Sequence, residues 1–92
     1  MNFRRAIREA SGKEKLLAKL GFRQRLKLRI IMFSPSMRRK LEEELLTKAI
    51  QHNAVPATTT LDAEIQEIDW EAIIDFIVEW LPVIIKLVIT FL

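Results

Sequence analysis

Residues 70–92 read WEAIIDFIVEWLPVIIKLVITFL, and no other stretch constrains the fold of this chain as strongly. Glu71, Asp75, Glu79, Pro82, Lys86 and Thr90 follow steps of four, four, three, four and four. On a helix that spacing is one narrow polar stripe. Trp70, Ile73, Ile74, Phe76, Ile77, Trp80, Val83, Ile84, Leu87 and Val88 cover the rest of the circumference. A helix that is apolar over most of its surface must be covered by lipid or by protein.

Residues 73–92 would extend about 30 Å at about 1.5 Å per residue, the thickness of a hydrocarbon core. The charges interrupt the unbroken apolar run of a simple span, and an ionised side chain at a bilayer centre costs about 2.5–3.5 kcal/mol. Asp75 and Glu79 lie early enough, and Lys86 late enough, to reach opposite interfaces. The expectation is therefore a membrane-inserted or deeply partner-buried helix. Its anchor would be Trp70, Ile73, Phe76, Ile77, Trp80, Val83, Ile84, Leu87 and Val88. Glu71, Asp75, Glu79 and Lys86 would form a polar seam against another protein surface. Asp75 and Glu79 repel at i, i+4, so a cation from an adjacent helix or from the chain's own basic half is expected to face them.

That basic half is the second strong feature. Residues 1–40 hold 13 Lys and Arg against two acids, and residues 41–92 hold two cations against ten acids, so the halves carry +11 and −8 within a net +3. Such polarity calls for an anionic counterpart: lipid headgroups, nucleic acid, an acidic protein, or the chain's own acidic half. Arg4, Arg5, Arg8, Arg23, Arg25, Lys27, Arg29, Arg38, Arg39 and Lys40 are the expected contact surface. Arg38-Arg39-Lys40 opens a helix where cations oppose the helix dipole, which favours an outside contact for them.

The remaining chain reads as all-α: several short basic or amphipathic helices, a Pro/Thr linker and the long apolar C-terminal helix. Phe3, Ala6, Ile7 and Ala10 have helical spacing, and Ser11-Gly12 interrupts it. Leu16, Leu17 and Leu20 begin a second face that Gly21 ends. Residues 23–33, RQRLKLRIIMF, start with a strand-like alternation of cation and aliphatic. With no second strand to pair with, helix is the expectation. Ser34 caps and Pro35 opens a helix over 35–51. HNAVPATTT at 52–60 is the linker between a basic helical region at 1–51 and a C-terminal helix at 61–92, begun by a capping-box-like Thr59 and Asp62. No secretory leader is expected, because no apolar run precedes Gly12.

Chemistry is thinly represented. There is no cysteine, and His52 is the one histidine, a set that excludes a zinc site of the usual kind. The SGKEK stretch lacks the upstream glycine and following Ser/Thr of a phosphate-binding loop. No cofactor or metal is expected, and no enzymatic activity. The reading is a small structural or assembly protein, membrane-associated or embedded in a larger complex such as a virion, with protein subunits and a lipid bilayer as partners and an oligomeric state. Its basic half would lie on the cytoplasmic or internal side of the membrane, or within a viral particle. Two alternatives are a pore-forming or lysis-type membrane protein, and a soluble oligomer that binds nucleic acid through its basic half.

Overall fold

The structure, a computed structural model, describes residues 1–90: five helices and, among the described residues, no strand. The all-α expectation holds. Helix α1 (Phe3–Ser11) starts where the Asn2 carbonyl side chain accepts from the Arg5 amide at 2.8 Å, and it buries Phe3, Ala6, Ile7 and Ala10. A short α2 (Glu14–Lys19) follows the Gly12 break and buries Leu16. Helix α3 (Phe22–Phe33) and α4 (Pro35–Gln51) meet at Ser34. The Ser34 hydroxyl accepts from the Met37 amide at 3.4 Å, and Pro35 sits where its missing N–H leaves nothing unsatisfied.

Helix α5 (Trp70–Thr90) is the centre of the molecule and touches all four others. Ile73, Ile74, Ile77, Val78, Leu81, Ile84, Ile85 and Val88 are buried. At about 100° per residue they occupy an arc of about 140°. Phe3 and Ile7 of α1, Leu16 of α2, Ile31 of α3, and Leu41 and Leu45 of α4 complete the core. Each fully buried aliphatic side chain contributes about 1.5–3 kcal/mol by leaving water. Most of the apolar surface of α5 is thus covered by the chain itself, while Val83 and Leu87 stay exposed.

That finding corrects the membrane-spanning expectation. No helix among the described residues is long and apolar enough to cross a membrane. The physical reason is the stripe of Glu71, Asp75, Glu79 and Lys86, which puts four charges into 21 residues. The other helices supply the cover that lipid would have supplied. The virion placement rested on a membrane-embedded tail beside a basic half, and loses that support too.

The C-terminal helix also starts later than expected, at Trp70 rather than Leu61, and its expected last two residues lie outside the described ones. Residues 61–69 contain Asp62, Glu64, Glu67 and Asp69 with no cation, so helical neighbours would repel. Tertiary contacts hold this stretch instead. The Arg4 amide donates to the Leu61 carbonyl and the Ile65 amide to the Met1 carbonyl, both at 3.1 Å. The terminal ammonium of Met1 lies 3.0 Å from Glu64. The Trp70 indole N–H donates to the Ile65 carbonyl at 2.8 Å, and Asp69 caps α5 through the Ala72 amide at 3.3 Å.

Candidate functional site

Helix α3 has two apolar faces, and only one is used by the fold. Leu28 and Ile31 are buried, with Met32 half-buried beside them. Phe22, Leu26, Ile30 and Phe33 are exposed, the two phenylalanines to 81% and 84%. Spacings of four, four and three put these four side chains within an arc of about 80° at about 100° per residue. The same geometry sets Arg25 and Arg29 along one border of this stripe, and Arg23 and Lys27 along the other. The outward face is therefore an apolar ridge between two rows of cations. At about 150–250 Å² per aromatic side chain, the two phenylalanines alone bring it near the size of patches that mark interaction sites.

Several of the expected cations serve the fold. Arg4 bridges Glu42, through Nε at 3.1 Å, and Asp62, through Nη1. Glu42 is buried, so this pair ties α1 to α4. Arg25 donates twice to the Leu17 carbonyl, at 3.1 and 2.7 Å, and closes the turn between α2 and α3. Arg39 pairs with Glu43 at 3.1 Å, and Arg5 stands 3.9 Å from Glu9. Lys40 is exposed on α4. Among the described residues, Arg8, Arg23, Lys27 and Arg29 make no ion pair.

A cleft of about 350 Å³ lies between α1 and the α3–α4 corner, lined by Arg4, Arg8, Met32, Pro35, Arg38, Arg39 and Glu42. Its Arg38 guanidinium donates to the Met32 carbonyl at 3.4 Å. A second cleft, of about 400 Å³, is lined by Lys13, Glu14 and Lys15 together with Glu71 and Asp75 at the start of the polar stripe on α5.

Of the residues expected to anchor α5, Ile73, Ile77, Ile84 and Val88 lie in the core, Trp70, Phe76 and Trp80 are half-buried, and Val83 and Leu87 are exposed. Glu71, Asp75, Glu79 and Lys86 all face outward. His52, the first residue of the expected linker, ends α4 with its ring 4.8 Å from Trp80 and 5.9 Å from Phe76. The Lys48 ammonium lies over the same indole at 5.7 Å. No group of three or more metal-ligating side chains gathers among the described residues.

The exposed stripe escaped the sequence reading because the cations mask it. RQRLKLR alternates like a strand, and only the helical register shows Phe22, Leu26, Ile30 and Phe33 to be neighbours. No protein-family model, curated protein or solved structure matches this chain.

Proposed function

We propose that this protein is a non-enzymatic assembly module that docks on the surface of an anionic membrane, with the outward face of α3 lying in the interface. The single observation that carries the reading is the exposed Phe22, Leu26, Ile30 and Phe33 stripe between two rows of cations. An exposed apolar helix face rimmed by Lys and Arg matches the interfacial plane of a bilayer, where such a face sinks about 5–10 Å. The stems of Arg23, Lys27 and Arg29 extend along the apolar surface and put their charges at phosphate depth, while Arg25 stays on the Leu17 carbonyl. Each such cation contributes about 1 kcal/mol near an anionic leaflet. A cytoplasmic leaflet rich in anionic lipid is the matching location.

Two competing partners fit less well. A second copy docking through the same stripe would bring these rows of cations against each other, and the stripe is small beside the roughly 800 Å² per partner of a standard interface. Nucleic acid answers the cations and can stack on phenylalanine. It gives no return for Leu26 and Ile30, the aliphatic centre of the ridge.

Vesicle flotation tests the proposal. The wild-type chain is expected to float with phosphatidylcholine vesicles containing phosphatidylserine, less so as salt rises, and not with phosphatidylcholine alone. Phe22→Ser with Phe33→Ser should lower partitioning by at least about tenfold per site, from about 1.5–3 kcal/mol for burying each ring. Absence of vesicle binding, or binding indifferent to both substitutions, overturns the reading. Salt-sensitive binding of single-stranded RNA without vesicle binding would reassign the face to nucleic acid.

A further inference from the structure

We infer that the arginine-lined cleft between α1 and the α3–α4 corner is a binding site for a phosphomonoester group. Four of its seven lining residues are arginines, the side chain whose planar fork matches phosphate oxygens in bidentate fashion. They are not equally committed. Arg4 is held on the buried Glu42 carboxylate and on Asp62, and Arg39 is paired with Glu43. Arg8 and Arg38 have no acidic partner among the described residues, and Arg38 spends one donor on the Met32 carbonyl. The cleft therefore presents two unmatched guanidinium groups beside two that are already positioned.

The local backbone adds to this. The first turn of α4 contains no acid and has cations next to it. Arg38 and Arg39 stand just beyond that turn, where cations oppose the helix dipole, and an anion held between their guanidinium groups relieves the conflict. Glu42 does not reverse the sign, because its carboxylate is occupied by Arg4 at the base of the cleft.

Met32 and Pro35 are the apolar part of the lining. They give the carbon side of an ester a surface that a bare inorganic ion does not use. They also bracket Phe33 in the chain, so the cleft sits at the C-terminal end of the exposed stripe. A phosphomonoester on a lipid headgroup could then be held while Phe33 is in the interface. This lipid source rests on the membrane reading above, whereas the phosphate chemistry does not, since a phosphorylated solute would meet the same arginines.

The test separates these. Inorganic phosphate is titrated into the ¹⁵N-labelled chain at constant ionic strength, with chloride as control. Saturable shifts are expected at the Arg8 and Arg38 Nε–H groups and at the amides opening α4, and they should vanish in the Arg8→Gln, Arg38→Gln double variant. Both side chains are exposed, so circular dichroism of that variant should match the wild type. Flotation then compares phosphatidylcholine vesicles carrying phosphatidic acid with vesicles of equal surface charge carrying phosphatidylserine. A preference of about tenfold for phosphatidic acid is expected from the added charge-assisted hydrogen bonds, and the double variant should lose it while still binding phosphatidylserine vesicles. Saturable phosphate shifts without that preference uphold the site and assign it to a soluble phosphorylated ligand. Shifts that fail to saturate, or that persist in the double variant, overturn it. The Phe22→Ser, Phe33→Ser variant should lose both kinds of vesicle and keep the phosphate shifts, so failure of the stripe and failure of the cleft are read separately.

Discussion

Helices α3 and α5 are both rich in large apolar side chains and use them in opposite ways. Helix α5 gathers Ile73, Ile77, Leu81, Ile84 and Ile85 onto one side and sends Glu71, Asp75, Glu79 and Lys86 to the other. Helix α3 splits its apolar side chains between Leu28 and Ile31 facing in and Phe22, Leu26, Ile30 and Phe33 facing out, with cations between the two faces. The more hydrophobic helix is therefore the one more completely satisfied by the fold. Functional surface is better located by apolar side chains left without cover than by hydropathy itself.

Substitutions that treat the two helices alike should separate them. The largest difference is expected between Leu81→Ala and Phe33→Ala. Leu81 is fully buried, so its truncation should cost about 2–5 kcal/mol in urea unfolding followed by circular dichroism. Phe33→Ala, at an exposed position, should stay within about 0.5 kcal/mol by the same measurement. Equal losses at the two sites would mean that the stripe on α3 is core after all.

A smaller effect is expected at the link between the basic and acidic halves. Glu42→Gln removes a buried charge partner of Arg4, which itself is about a third exposed and keeps Asp62. The expected loss is about 1–2 kcal/mol, discounted for the water that reaches Arg4. Denaturation curves showing no change would make the pair incidental to the α1–α4 packing.

Caps come next. Asp69→Ala should cost about 1 kcal/mol by freeing the Ala72 amide at the start of α5, and thermal unfolding should register it. The smallest change is expected from Glu79→Gln on the outward stripe of α5, within about 0.5 kcal/mol. A large loss of stability there would indicate that the stripe meets a partner surface in solution.

Much of the secondary structure was legible in the chain. The cap-and-proline signal at Ser34-Pro35 gives the α4 start, and the break at Ser11-Gly12 separates α1 from α2. Both are local signals, decided by backbone groups a few residues apart. The start of α5 was misplaced because residues 61–69 are held by Met1, Arg4 and Trp70 rather than by their own propensity. The arginine cleft was visible only in part. Arg38 and Arg39 stood out by their position at a helix N-terminus, but nothing near them in the chain points to Arg4 and Arg8 across the cleft.

By itself, the sequence determined that this chain is helical, that its charge is divided between its halves, and that one helix is apolar around a single polar stripe. These properties follow from spacing and composition, which need no partner to be read. Only the tertiary structure decided what covers that helix, and which apolar face of α3 is left in water. Burial is a property of neighbours distant in the chain. Phe3, Leu16, Ile31 and Leu45 join α5 in the core, and among the described residues no comparable surface is brought over Phe22 and Phe33.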